Sequence, residues 1–139
     1  MSEVRDDLID IYAYEKRLAE CSYELMGKML DPVAVEKGIN FLNVPKIYIY
    51  GGGYLGIQLY RVSADLINVP AIVDKKGKLA FCIPDIPVIS DKRLEAIYQG
   101  EKIVVASIQY YDEIKRELSR YVDPDHIIYL GEVFGRLIS

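Results

Sequence analysis

A glycine-rich segment in the middle of the chain limits most strongly what this sequence can fold into. Gly51, Gly53 and Gly56 fit the spacing G-x-G-x-x-G. The apolar run 47–50 before them predicts a short strand, and apolar residues at helical spacing over 54–67 predict a helix after them. The spacing is informative in this context, between a strand and a helix. The segment therefore predicts the first strand, turn and helix of a Rossmann-like α/β fold.

The residue types in this segment favour an anion. In such a turn the first glycine allows the tight bend, the middle one lets backbone approach a phosphate, and the third lets the helix lie close to the strand. The amino end of the helix then offers N–H groups and a partial positive charge. The candidate binding residues are Gly51, Gly52, Gly53, Tyr54, Leu55 and Gly56. Tyr60 stands where the dinucleotide pattern usually has a small residue, which weakens a strict NAD assignment. A turn used only for chain geometry also stays open.

Short apolar strands alternate with helical patterns through the rest of the chain. The predicted elements are strands at 71–73, 86–89, 102–107 and 126–130, a weaker apolar run at 79–83, and helices at 91–98 and 111–121. This alternation is typical of a parallel sheet with helices on both faces. We expect an α/β, doubly wound, Rossmann-like sheet of about five strands.

An acidic residue follows the second predicted strand. Asp74 lies 21 residues after Gly53, where the dinucleotide-binding fold places a carboxylate that bonds to a ribose. The other interpretation is that Asp74 only opens the turn before Lys75. An acid at this position repels a 2′-phosphate, and Lys75 and Lys76 weaken that repulsion, so the residues do not decide between NAD and NADP. Lys75 is itself a candidate binding residue.

A third group of candidates follows the strand predicted at 102–107. In an open parallel sheet the ligand crevice lies beyond the carboxyl ends of the strands, where the strand order reverses. Ser107 and Gln109 are therefore expected to face a ligand, with Tyr110 stacking on a base or sugar. An ordinary helix cap explains these residues as well.

The first thirty residues predict one long helix ahead of this domain. Its apolar stripe consists of Val4, Leu8, Ile11, Leu18, Leu25 and Met29. A second helix is expected to begin at Pro32, with Asp31 as its cap, and to end at Gly38. We divide the chain into a helical arm, 1–45, and a Rossmann-like nucleotide-binding domain, 46–139. The arm either packs on its own domain or forms a homodimer through residues 3–30.

Charge and hydropathy exclude several partners. The formal net charge is −4 and the pI is about 5.0, so the chain lacks the basic surface that nucleic acid or an anionic membrane attracts. No apolar run approaches the roughly 18 residues of a membrane span. The polar amino terminus does not have the basic and apolar regions of a secretory signal. We therefore expect a cytoplasmic protein that binds neither nucleic acid nor membrane.

Reactive side chains are few. The chain has two cysteines and one histidine, too few for a structural zinc site. His126 follows a turn sequence and is expected to be a surface residue. We expect no metal and assign no catalytic residue, and whether the chain is an enzyme stays open.

Over residues 46–134 the chain resembles the Rossmann-like amino-terminal domain of PglD-type sugar acyltransferases and the related small domain beside FkbM-type methyltransferases. The residues that carry the resemblance are Ile47-Tyr48-Ile49-Tyr50-Gly51-Gly52-Gly53-Tyr54-Leu55-Gly56, Val73-Asp74, Ile86-Pro87-Val88-Ile89-Ser90, and Val104-Val105-Ala106-Ser107 followed by residues 113–118. The resemblance implies a nucleotide-sugar site at Gly51, Gly52, Gly53 and Asp74. It does not extend to acetyl or methyl transfer, because neither the acyltransferases' β-helix nor the methyltransferase domain has a counterpart in these residues.

The expected function is binding of a small-molecule nucleotide, either a nucleotide-sugar or an NAD-type dinucleotide, in surface-polysaccharide or nucleotide-sugar metabolism. Two alternatives stay open. One is an NAD(P)-dependent oxidoreductase subunit that needs a partner, and the other is a structural or dimerisation domain without a ligand.

Overall fold

The computed structural model describes residues 2–51, 53–77 and 85–135, with side chains from residue 11 onward. Gly52, Cys82 and the weak apolar run 79–83 lie outside the described residues. Of the helices described, none is both long enough and apolar enough to cross a membrane.

A five-stranded, all-parallel sheet forms the centre of the molecule, in the order β3-β2-β1-β4-β5. The strands are β1 Ile47–Tyr50, β2 Ile72–Val73, β3 Val88–Ile89, β4 Lys102–Val105 and β5 Ile127–Tyr129. Tyr50 pairs with Val73 on one side and Val105 on the other. The strand order therefore reverses between β1 and β4, and the predicted Rossmann-like fold class is confirmed.

Six helices in the described residues cover this sheet. They are α1 Ser2–Met29, α2 Pro32–Leu42, α3 Tyr54–Ser63, α4 Asp91–Ile97, α5 Tyr111–Leu118 and α6 Leu130–Val133, with a 3₁₀ turn at Pro124–His126. The predicted amino-terminal helix is present.

Alternating strand residues divide the core between the two faces of the sheet. Ile49 and Val104 share one cluster with Leu25, Ile39 and Leu59 of α1, α2 and α3, and Leu130 and Val133 of α6 belong to it too. Side chains alternate across a strand. The neighbouring strand residues therefore face α4 and α5 on the opposite side.

The second cluster is built from those neighbours. Tyr50, Ile103 and Val105 pack with Leu94 of α4 and Ile114 of α5. Helices on both faces of a parallel sheet bury both sides of each strand. This burial explains why the sequence of β4 is almost continuously apolar.

The second helix begins as expected but does not end at Gly38. Asp31 accepts a hydrogen bond from the Val33 N–H at 3.0 Å, and the helix continues to Leu42. A Cβ at Gly38 would lie 2.8 Å from the Val133 Cγ1. The glycine is therefore a close-packing position between α2 and α6, and its helix-breaking tendency is overridden.

Several predicted boundaries were too long. Helix α3 ends at Ser63 instead of 67, and Leu66, which follows it, is 51% exposed. Likewise β4 ends at Val105 and α5 at Leu118. His126 belongs to the 3₁₀ turn, and Leu130 begins α6, a helix too short to show a period in the sequence.

The burial of the long helix α1 differs between its two halves. Cys21, Leu25 and Met29 are buried in the first core cluster, so its carboxyl half packs on the domain. Ile11 and Tyr12 are 55% and 69% exposed. The division of the chain near residue 45 and the homodimer stay predictions.

Candidate functional site

An open cleft of about 890 Å³ lies at the carboxyl edge of the sheet. Its walls come from the ends of three neighbouring strands and the starts of two helices. The lining residues are Tyr50, Gly51, Gly53, Tyr54, Leu55, Asp74, Lys75, Lys76, Ala106, Ser107, Tyr110, Glu113 and Ile114. The cleft is therefore located where the strand order reverses, as expected for a ligand crevice in an open α/β sheet.

Two glycines shape the glycine turn, which the structure describes at Gly51 and at residues 53–56. Gly51 has φ +125°, a conformation that side chains disfavour, and its N–H donates to the Val73 carbonyl at 2.9 Å. A Cβ at Gly56 would collide with the Gly51 carbonyl oxygen and lie 2.9 Å from its carbonyl carbon. Gly56 does not line the cleft, and it allows the close helix–strand packing that the pattern predicts.

Gly53 has no comparable packing reason. It is the exposed N-cap of α3 with φ −87°, and a Cβ built on it meets nothing within 4 Å. A larger residue would therefore fit the fold as the described residues show it. The space beside this backbone opens to the cleft, which is consistent with the predicted approach of a phosphate. Tyr54 and Leu55 of the first helical turn line the same side, and Gly52 lies outside the described residues.

Asp74 both lines the cleft and forms a turn. Its Oδ2 accepts from the Lys76 N–H at 3.0 Å, and its carbonyl accepts from the Gly77 N–H at 2.9 Å. The turn-forming interpretation of this aspartate is thus present in the structure. That turn uses one of the two carboxylate oxygens, and the half-buried side chain still borders the cleft.

Lys75 joins the turn after β2 to helix α5. Its Nζ lies 3.1 Å from the Glu117 Oε1. The hydrogen bond to Glu117 raises the pKa of Lys75, although the pair is exposed and stabilises the fold little. The bridge links the β2 side of the cleft to α5, and the neighbouring Lys76 is an exposed cation on the cleft wall.

The loop after β4 supplies the third wall. The Ser107 Oγ accepts from the Tyr110 N–H at 3.2 Å, so the local capping bond considered from sequence is present. Tyr110 is 54% exposed at the cleft rim. Gln109 is exposed and does not belong to the lining residues, so the structure brings together Ser107 and Tyr110 without it.

Five lining residues were not among the predicted binding residues: Tyr50, Lys76, Ala106, Glu113 and Ile114. Tyr50 is 4% exposed, and burial together with the nearby Asp91 raises its pKa well above the usual range. The phenol therefore keeps its proton to a higher pH than a free tyrosine does. Its position at the end of β1, directly before Gly51, was the signal in the sequence that marks it.

Fold and cleft together define a Rossmann-like α/β protein with a ligand-sized crevice at its topological switch point. No model of a known protein family matches the chain, and a search of curated proteins found no match. The resemblance to the PglD-type and FkbM-associated domains therefore stays a prediction.

Proposed function

We propose that this protein binds a small molecule containing a nucleotide, either a nucleotide-sugar or an NAD-type dinucleotide, in the cleft at the switch point. The observation that carries this proposal is that three separate segments of the chain converge on one cleft. The glycine turn after β1, Asp74 after β2 and the loop from Ser107 to Tyr110 after β4 are far apart in sequence and line one cleft.

The diphosphate is assigned to the glycine turn. The first N–H groups of a helix have no acceptor within the helix, and Gly53 contributes no side-chain cap at the start of α3. A diphosphate oxygen is an acceptor of the right charge for this position. Lys76 lies on the same cleft and adds a positive charge.

The ribose and base are assigned to the remaining walls. A carboxylate accepts hydrogen bonds from a pair of ribose hydroxyls, and Asp74 has this chemistry at the end of β2. Tyr110 and Ile114 offer aromatic and aliphatic surface to a planar base. This assignment covers binding only. Any reaction, such as one in nucleotide-sugar or surface-polysaccharide metabolism, or a hydride transfer, would use groups from a partner.

Isothermal titration calorimetry with UDP-sugars, NAD⁺ and NADH tests the proposal. The wild-type protein should bind at least one class. Asp74→Ala should weaken that binding about tenfold or more, since a hydrogen bond to a charged group contributes roughly 1.5–3 kcal/mol. Gln109→Ala is the matched control, because Gln109 is exposed and outside the lining. Absence of binding by every ligand would overturn the proposal.

A structural role for the arm is a second candidate. The observation that favours it is the exposed apolar surface of α1 around Ile11, Tyr12 and Tyr14. An isolated helix is only marginally stable in water, so a partner helix would stabilise the amino-terminal half of α1. We propose that a second copy of the chain supplies it. This role is compatible with nucleotide binding, because the cleft lies on other elements.

A further inference from the structure

We infer that the cleft holds one nucleotide of its ligand, a nucleoside diphosphate unit, and that any group attached beyond the second phosphate projects away from the domain. This inference rests on the proposed function and narrows its ligand class. The structural basis is a difference between the two sides of the switch point.

On the far side of the switch point, the lining stops at β4 and α5. Every lining residue belongs to the end of β1, β2 or β4 or to the start of α3 or α5, and among the described residues none comes from β5 or α6. A dinucleotide-binding fold uses two mononucleotide halves on either side of the switch point. Here the half built on β1 and β2 provides a turn, an acid and a cation.

Helix α6 follows directly after β5, in the half of the sheet that β4 and β5 form. Strand β5 ends at Tyr129, and α6 starts at the next residue, Leu130, which is 0% exposed. The helix then packs on the middle of α2, where a Cβ at Gly38 would lie 2.8 Å from Val133. The chain therefore returns to the core directly after β5. The loop that would border a second nucleotide at this strand end is replaced by a buried helix.

Three packed side chains occupy the region beside the end of β5. The rings of Tyr129 and Tyr111 meet edge to face with centroids 5.0 Å apart. The Tyr129 hydroxyl lies 3.9 Å from the Cys21 Sγ, in a buried contact between β5 and α1. These contacts join α1, β5 and α5 at this end of the sheet. A second nucleotide would have to displace them.

The Lys75–Glu117 bridge joins the turn after β2 to α5, and Lys75 itself lines the cleft. The Tyr111–Tyr129 pair lies outside the lining. The lining groups therefore correspond to one nucleotide: the glycine turn to the diphosphate, Asp74 to the ribose, and Tyr110 with Ile114 to the base. An NAD-type ligand would be held through its ADP half, and a nucleotide-sugar through its nucleoside diphosphate. The nicotinamide or the sugar would then contact solvent or a partner.

Calorimetry with matched ligand series tests this inference. We expect ADP, ADP-ribose and NAD⁺ to bind within about threefold of one another if the site takes adenine, and UDP and UDP-glucose to do so if it takes uracil. AMP or UMP should bind at least about tenfold more weakly, because it lacks the second phosphate that the glycine turn holds.

Saturation-transfer NMR on the same complexes locates the contact. Protons of the base and of its ribose should receive saturation from the protein, and those of the nicotinamide or glucose should receive little. An NAD⁺ affinity more than about tenfold above that of ADP-ribose, or strong saturation of the nicotinamide, would overturn the inference and leave nucleotide binding intact. If none of these ligands binds, the proposed function itself fails.

Discussion

The carbonyl oxygen of Gly51 occupies the place where residue 56 would carry its Cβ atom. This contact joins the end of β1 to the first turn of α3, and the Ile49 Cγ2 lies 3.6 Å from the same point. The surroundings of a Cβ at position 56 are therefore largely backbone, which cannot move aside as a flexible side chain can.

Gly56→Ala should destabilise the protein by about 2 kcal/mol or more, because overpacking against rigid neighbours forces α3 away from the sheet. Chemical denaturation measures the change. Gly27→Ala is the control, since Gly27 lies in α1 with nothing within 4 Å of an added Cβ. That substitution should stabilise the protein by up to about 1 kcal/mol through helix propensity. An equal effect of the two alanines would contradict this explanation.

Gly53→Ala should separate binding from folding. A Cβ at this position meets only open space and the backbone φ of −87° suits alanine, so the free energy of unfolding should change by no more than about 1 kcal/mol. The same Cβ would lie between the backbone and a bound phosphate. Nucleotide affinity should therefore fall at least about tenfold in calorimetry. Undiminished affinity in a folded Gly53→Ala protein would contradict the assignment of the diphosphate to the glycine turn.

The sequence predicted which segments form the sheet more accurately than it predicted the residues at which helices and strands end. The apolar runs around Ile49 and Val104 reflect burial on both faces of the sheet, which is a strong and local signal. The glycine spacing reflects the tight turn between strand and helix, which is also local. Gly38 shows the limit of such signals. It was predicted to end a helix, and it instead lies inside α2 because Val133, distant in the chain, packs against it.

The site was predictable where one local motif specifies it. Gly51, Gly53 and Asp74 follow strands at fixed spacing and line the cleft. Glu113 and Ile114 reach the cleft only because α5 packs across the sheet, and that placement depends on tertiary structure. For the same reason Gln109, adjacent to lining residues in sequence, lies outside the lining.

Tyr121→Phe should stabilise the protein near neutral pH. Within the described residues the buried Tyr121 hydroxyl has no hydrogen-bond partner, and an unpaired buried polar group costs about 1–3 kcal/mol. Removing that oxygen should raise the free energy of unfolding by about 1 kcal/mol at pH 7. Tyr23→Phe, at a position 81% exposed, should leave it unchanged. Denaturant titration distinguishes the two variants.

The same tyrosine should make stability depend on alkaline pH. Burial, with the nearby Glu95, raises the pKa of Tyr121 from 10.0 to about 12. Between these values the unfolded chain has released the proton that the folded chain keeps, so stability falls as pH rises. Tyr121→Phe should therefore reduce the loss of stability between pH 10 and pH 12. Parallel curves for wild type and variant over this range would contradict the burial of this phenol.

Ile11→Glu should convert a dimer to a monomer if two copies of α1 pair. Ile11 is 55% exposed on the part of the helix that extends beyond the buried residues from Cys21 onward, and a carboxylate at an apolar helix interface is strongly unfavourable. Point substitution is preferable to deletion of the arm, because deletion would also remove Leu25 and Met29 from the core. Light scattering coupled to size exclusion gives the mass, and circular dichroism verifies that the fold is retained. Glu20→Gln, nine residues along and on the opposite side of the helix, should leave the mass unchanged. A monomeric wild type, or a dimeric Ile11→Glu variant, would contradict the proposal that two copies of the chain pair through α1.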